Sequence, residues 1–425
     1  MTFAQLNMNQ TLLKAISVSG YNEPTAIQAE AIPHILEGKD VLGSAQTGTG
    51  KTAAFALPII QRMQERQAIA RRKHPRALVL APTRELALQI KDNFQLYAQH
   101  SGIKTAAIFG GVAKYNQIKT IKRGVDVIVA TPGRLLDLVA MKIINLDTIE
   151  YYVLDEADRM LDMGFIPDVE KITGMLPIAR QTMLFSATLP KSIVDLSKAL
   201  LNNPIRITIA KDNTPLETID QSVFYIHKND KQSLLRDVLL DHSLTSALVF
   251  VRTKHGANQL TKAMQHAGID ADAIHGNKTQ AQRQQALNRF KQRKTRVLIA
   301  TDVASRGIDI DNLSHVINYD MPETADTYVH RIGRTARAGR LGRSMSFCSV
   351  EETHLVKAIQ SHIGMRIPVD ATHGYAMPKS KPSRQKSAHS FSKEPQTPTW
   401  KRRRKHGTKR HSRKNTMASK PRHSW

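Results

Sequence analysis

The sequence contains a single cysteine, Cys348, in 425 residues. That excludes an internal disulfide framework and a cysteine-based zinc site, and it suits a reducing compartment. Long hydrophobic runs are also missing: no stretch approaches the ~18 apolar residues of a helical membrane span. The opening M-T-F-A-Q-L-N-M-N-Q lacks the charged and apolar regions of a secretory signal, so a cytoplasmic protein is expected. Aromatics are scarce at 5%, and the only tryptophans, Trp400 and Trp425, lie near the C-terminal end. Acids are scarce as well: 36 Asp and Glu face 62 Lys and Arg, a net charge of +26. Such an excess points to a polyanionic partner, either nucleic acid or an anionic membrane surface. Hydrophobic residues still make up 41% of the chain. At roughly 150 residues per domain, its length corresponds to about two or three domains.

The acid deficit is deepest at the end. From Ala371 to Trp425, 9 Lys and 7 Arg face one acid, Glu394, so these 55 residues carry +15 of the +26. They contain no Ile, Leu or Val, and a segment without large aliphatics cannot offset its ordering entropy by burial, so 371–425 reads as a disordered basic tail. The rest alternates short apolar runs with amphipathic stretches. Strands are expected at Asp40–Ser44, Ala77–Ala81, Thr105–Phe109, Val125–Ala130, Tyr151–Asp155 and Gln181–Ser186. A second series follows at Ser222–Ile226, Ala247–Val251, Ala271–His275, Arg296–Ala300, Ser314–Tyr319 and Ser344–Ser349. Helical periodicity lies between them, as in Glu85–Gln99, Asp230–Leu240 and Gln280–Phe290. This alternation predicts two α/β domains with parallel sheets, 1–210 and 221–370, joined by a polar linker at 211–220.

Three segments carry chemistry. Ala45, Gln46, Thr47, Gly48, Thr49, Gly50, Lys51 and Thr52 follow a strand and open a helix. Glycines there let backbone N–H groups converge on phosphate, at the positive end of the next helix. Lys51 would reach the β/γ-phosphates and the Thr52 hydroxyl would ligate Mg²⁺, although the strict pattern has Gly where Ala45 stands. The run Y-Y-V-L-D-E-A-D puts Asp155 at the carboxyl end of a strand, where parallel sheets bind ligands. Asp155 could hold Mg²⁺, directly or through water, and Glu156 could orient or deprotonate a water. Acids complementing a helix dipole are the alternative for this pair. In Y-V-H-R-I-G-R-T-A-R, three arginines at three-residue spacing offer planar forks to phosphate from the domain that has no phosphate loop. A solvated basic face is the alternative.

Together these segments resemble a DEAD-box RNA helicase over about 365 residues, everything but the tail. Asp155–Asp158 is the naming motif, and Asn22–Gln28 with Tyr21 resembles the Q motif, with Phe3 at its upstream aromatic. P-T-R-E-L-A at Pro82–Ala87, Gly110–Gly111, T-P-G-R at Thr131–Arg134 and S-A-T at Ser186–Thr188 follow in the family's order. In the second domain come Val249–Thr253, Gln280–Arg283, Ala300–Asp309 and His330–Arg337. Tyr21, Ala26 and Ala336 depart from the commoner Phe, Pro and Gly.

The resemblance implies two RecA-like domains, ATP and Mg²⁺ as ligands, and RNA-stimulated ATP hydrolysis coupled to local duplex remodelling, in ribosome assembly or RNA turnover. It implies that Ser186 and Thr188 couple hydrolysis to RNA, that Arg331 and Arg334 reach the γ-phosphate, and that Asp309 touches the ribose. Gln28 would pair with the adenine edge, and Phe3 would stack on the base unless it is instead a hydrophobic staple at a helix start. Arg84, Gly111, Thr131, Arg134, Arg252, Arg283, Thr301 and Arg306 would line a sequence-independent RNA path, with a solvated surface as the alternative for Arg252. The tail would be a non-specific RNA tether, with a nuclear-import signal at Lys401–Lys405 as its alternative. The layout resembles the bacterial RhlE-type subgroup, and a monomer is expected. Two rivals remain: an RNA clamp of the same fold, and a passive RNA binder with a dead nucleotide site.

Overall fold

Four-residue runs such as A-L-V-L and V-I-V-A are apolar at every position, so a strand built from them needs cover on both faces. The computed structural model describes residues 1–46, 48–65, 74–209, 219–241, 244–302, 313–335 and 342–375. Thr47, Arg306, Asp309, Arg337, linker residues 210–218 and the chain from 376 onward lie outside the described residues.

The first part runs α1 (Gln10–Val18), α2 (Ala26–Leu36), β1 (Val41–Ser44), α3 (Lys51–Glu65), β2 (Ala77–Leu80), α4 (Arg84–Tyr97), β3 (Thr105–Ile108) and α5 (Lys114–Lys122). It continues with β4 (Val127–Ala130), α6 (Pro132–Ala140), β5 (Tyr151–Leu154), α7 (Ala157–Asp162), α8 (Ile166–Thr173), β6 (Gln181–Ser186), α9 (Lys191–Leu200) and β7 (Ile205–Thr208). Its strands form one parallel sheet in the order β3-β4-β2-β5-β6-β1-β7. Alternate residues of β2 show the two-sided cover. Ala77 and Val79 join the core with Leu12, Ile27 and Phe55, whereas Leu78 and Leu80 join that of Leu135, Met160 and Ile193.

The second part runs β8 (Ile219–Tyr225), α10 (Lys231–Leu240), β9 (Ala247–Phe250), α11 (Lys254–His266), β10 (Ala271–Ile274) and α12 (Gln280–Lys291). Then come β11 (Val297–Ala300), β12 (His315–Asn318), α13 (Ala325–Ile332), β13 (Gly342–Cys348) and α14 (Thr353–Ile363). Its parallel sheet has the order β10-β11-β9-β12-β13-β8. The described residues belong to one compact unit. Among them, no helix is long and apolar enough to cross a membrane.

The structure adds to the sequence reading at three places. β7 is a strand that the sequence reading does not include. β8 starts at Ile219, which pairs with Gly342, so Ile219 and Asp220 belong to the second sheet and not to the linker. Ala371–Tyr375, assigned above to the tail, pack on the second domain: the Tyr375 hydroxyl donates to Asp237 at 2.7 Å, and the His373 ring lies 5.3 Å from that of Phe224.

Candidate nucleotide site and RNA face

The expected phosphate-binding loop connects β1 to α3 at the carboxyl edge of the first sheet, the edge where such sheets bind ligands. β6 lies between β1 and β5, so Ser186 stands between the loop and Asp155, and the Ala45 amide donates to the Ser186 carbonyl at 3.1 Å. The Thr49 hydroxyl closes the loop on the Gln46 carbonyl at 2.7 Å, and the Lys51 ammonium donates to the Ala45 carbonyl at 2.7 Å. Thr52 follows in the first turn of α3, half-buried.

Gln28 reaches this loop through a helix cap. It is the third residue of α2, and its Oε1 accepts the Thr25 amide at 3.0 Å in a capping box. Its Nε2 donates to the Gly50 carbonyl at 3.1 Å, while the Thr25 hydroxyl donates to the Thr49 carbonyl at 2.7 Å. A carboxamide offers two N–H groups and two lone pairs, so one of each remains for a base edge. Gly50 sits at φ +88°, and a Cβ there would lie 2.2 Å from Gln28 Nε2. Gly50→Ala is therefore expected to weaken ATP binding. Left-handed strain of ~1–2 kcal/mol alone corresponds to roughly five- to thirtyfold. Titration with a fluorescent ATP analogue checks this, and unchanged affinity would detach Gln28 from the loop. Phe3 differs from the open stacking platform expected of it: it is 3% exposed in the core beneath Tyr21, ring centroids 6.4 Å apart. The open ring is Tyr21, 37% exposed.

Asp155 and Glu156 leave β5 into buried space. Burial pushes the Asp155 carboxyl up to about 7, with Lys51 opposing and the charges of Glu156 and Asp158 adding to the rise. A buried acid cluster of this kind suits a divalent cation of the Mg²⁺ type, which uses one or two carboxylates together with phosphate oxygens. Among the described residues, no three or more His, Cys, Asp or Glu form a metal cage. Burial also works to raise Glu156, but the Arg159 guanidinium bonded to it, then Lys51 and Arg334, hold it below its usual range. Glu156 occupies the left-handed region at φ 56°, a conformation that costs a non-glycine residue about 1–3 kcal/mol and clusters at functional sites.

Two neighbours were missed by sequence reasoning. Arg159 sits one turn after Glu156, a spacing that could have flagged it. Asp158 had its motif as a signal but no assigned role. Its Oδ2 accepts from the Ala187 amide (3.1 Å), the Thr188 amide (2.9 Å) and the Thr188 hydroxyl (3.0 Å), while the Ser186 hydroxyl donates to the Thr188 carbonyl at 2.7 Å. The S-A-T turn is thus fastened to the same short segment that carries Asp155 and Glu156.

The arginines divide. Arg334 is 5% exposed, and its charge reaches Glu156 from the other domain. Arg331, expected on the γ-phosphate, has protein partners in this structure. It is 3% exposed, its fork grips Asp302 at 2.6 and 2.7 Å, and Nη1 donates to Asn318 and to the Asp320 carbonyl. The plane lies over Phe250, 4.8 Å from the centroid. Those bonds belong to the second domain's interior.

Of the residues expected to contact RNA, Arg84 and Gly111 are brought together: a Cβ on Gly111, at φ +73°, would lie 2.0 Å from Arg84 Nη1. Arg134 joins them through the Val112 carbonyl at 3.2 Å, and half-buried Thr131 caps the helix that carries it. Arg283 turns elsewhere, pairing with Glu85 at 2.8 Å while Gln280 donates to the same carboxylate at 2.9 Å. Arg283, expected in the RNA path, here bridges from the second domain to α4. The half-exposed Arg252 side chain is held by Glu352 at 3.1 Å, and Thr301 follows β11.

A phosphate loop and an acidic strand end in one α/β domain, facing an arginine of a second, define a two-domain nucleotide hydrolase. Comparison with known proteins gives the family. Residues 25–196 match the DEAD/DEAH box helicase family model, and residues 230–339 match the helicase conserved C-terminal domain. The chain is 43% identical over 368 residues to the ATP-dependent rRNA helicase RRP3 of Candida albicans, covering 86% of this chain and 68% of that protein. It is 40% identical over 369 residues to the RNA helicase CrhR of Synechocystis, covering 87% and 74%. Yeast (S. cerevisiae) Dbp5 bound to RNA and ADP BeF3 superimposes with a TM-score of 0.76 at 32% identity, covering 86% of this chain and 95% of that one. The chain belongs to the DEAD-box helicase family, with two RecA-like domains, and is an ATP-dependent RNA helicase.

Proposed function

We propose that this helicase hydrolyses ATP in the cleft between Lys51 and Arg334 and uses the cycle to open short RNA duplexes. The observation that carries this reading is Glu156, a buried carboxylate in the left-handed turn after β5, held below its usual range by the Arg159 guanidinium bonded to it, then by Lys51 and by Arg334 of the other domain. The backbone of the Ala45–Thr52 loop and Lys51 bind the phosphates, Gln28 reads the adenine, and Asp309 takes the ribose. Thr52 and Asp155 would hold Mg²⁺, which when bound neutralises phosphate charge. Glu156 orients a water and accepts its proton, and Arg334 offsets charge on the γ-phosphate. RNA lies along Arg84, Gly111, Thr131 and Arg134, with Arg252, Thr301 and Arg306 from the second domain. Contacts to phosphate carry no base information, so recognition is independent of sequence. The likeness to an rRNA helicase supports a role on ribosomal RNA.

The test is RNA-stimulated phosphate release combined with displacement of a short duplex. A passive RNA binder would show neither, and a clamp only the first. ATP should outperform GTP, because guanine reverses the donor and acceptor pattern that Gln28 can meet. A lost paired polar contact costs ~1–3 kcal/mol, or roughly five- to 150-fold in turnover at low nucleotide. Equal turnover with GTP would remove Gln28 as the base reader.

A further inference from the structure

Helix α5 begins three residues after Gly111 and reads K-Y-N-Q-I-K-T-I-K, followed by Arg123, with no acid in the run. Ile121 is buried beneath it, and Lys119, Lys122 and Arg123 are exposed. Tyr115, in its first turn, is 71% exposed, an unusual position for a large ring in a chain with so few aromatics. The helix is fixed to the RNA face. Buried Gln117 donates to the Phe109 carbonyl at 2.9 Å, just before Gly110 and Gly111, and accepts from Arg134 at 3.4 Å. Lys114 pairs with Asp137 at 3.0 Å, so the outward charge is that of the other three cations.

We propose that α5 is an accessory RNA-binding rail, with Tyr115 stacking on a base and Lys119, Lys122 and Arg123 following the phosphates of the strand that leaves the Arg84–Gly111–Arg134 face. Stacking and backbone charge together bind single strands without sequence preference, which suits an open ring at one end of an all-basic helix. The rail rests on the RNA path described above and extends it by the length of α5, roughly 13 Å at ~1.5 Å per residue.

The experiment uses the full chain and two oligouridines, one short enough to fill only the Arg84–Arg134 face and one long enough to pass α5. Affinities are measured with a non-hydrolysable ATP analogue at several salt concentrations. On the long RNA, Tyr115→Ala should weaken binding about tenfold. The triple variant K119Q/K122Q/R123Q should flatten the plot of log affinity against log salt by about two units, at ~0.7 per phosphate. On the short RNA both should bind as wild type, and saturated ATPase and melting temperature should not move. Arg84→Ala is the control for the path itself and should weaken both RNAs. Loss with Arg84→Ala but wild-type binding of long RNA by the α5 variants would overturn the rail and leave the path standing. Equal losses on both RNAs by the α5 variants would also overturn it, because the effect would not follow strand length. An Arg84→Ala protein that binds both RNAs normally would overturn the path, and the rail as its extension.

Discussion

Glu156→Gln is expected to abolish RNA-stimulated ATP hydrolysis while ATP still binds. The amide keeps the side chain's shape but cannot accept a proton, and loss of a general base costs ~10²–10⁴-fold. The structure strengthens the case for Glu156 over its neighbours. Asp155 is pushed up to about 7 by burial, with the Lys51 charge opposing, and sits in the buried acid cluster that suits cation binding. Asp158 is occupied by the Ala187 and Thr188 amides and the Thr188 hydroxyl. Glu156 is held below its usual range by the guanidinium of Arg159, then by Lys51 and Arg334. Phosphate release should be measured at saturating RNA and ATP, with binding followed separately by a fluorescent ATP analogue. Turnover within threefold of wild type would remove Glu156 from the mechanism, and lost ATP binding would assign it to the ground state.

The central strands and the contiguous site motifs were legible for one reason: each is written in a single short stretch. Leu78 and Val79 face opposite cores, so a wholly apolar run was the correct signature of a strand covered on both sides. β7 escaped because it is an edge strand with only Ile207 fully buried, and I-R-I-T carries no such run. The start of β8 was hidden by its alternation of buried and exposed residues, which reads like a polar linker. Residue types of the candidate site were likewise clear, but their partners were not. Arg283 and Arg331 both read as basic groups for phosphate. Only the fold reveals that Glu85 on α4 meets the first and Asp302 after β11 meets the second. A motif specifies a chemical capacity, whereas the fold decides which partner takes it up.

Asp158 illustrates the same point in the other direction. One carboxylate oxygen gathers two amides and a hydroxyl of the S-A-T turn, so β5 and β6 end in a single hydrogen-bonded unit. Charge-assisted bonds of this kind are stronger than neutral ones. The segment that carries Asp155 and Glu156 is thereby tied to the S-A-T turn after β6.

Arg334→Ala and Arg331→Ala should fail in different ways. Arg334 faces Glu156 from the second domain, so its removal should leave ATP bound and cut hydrolysis; an arginine supplied across a cleft is worth ~10³–10⁵ in turnover. Arg331 instead holds its own domain together through Asp302, Asn318, the Asp320 carbonyl and the face of Phe250. Asp302 is partly solvated, which moderates the loss, but a buried charged hydrogen-bond set is still worth roughly 2–4 kcal/mol. For a domain of this size that corresponds to a fall in melting temperature of roughly 5–10 °C. Arg331→Lys would keep the charge but lose the fork that grips both Asp302 oxygens, and should recover only part of the stability. Thermal unfolding and RNA-saturated ATPase, measured on the same preparations, separate the two roles. Folded Arg334→Ala should still bind ATP with hydrolysis nearly absent. Arg331→Ala should melt early, with any loss of hydrolysis following the fraction unfolded. A stably folded Arg331→Ala protein that binds ATP and cannot hydrolyse it would return Arg331 to the γ-phosphate. An Arg334→Ala protein with normal turnover would show that the cleft between the two domains is not where hydrolysis is completed.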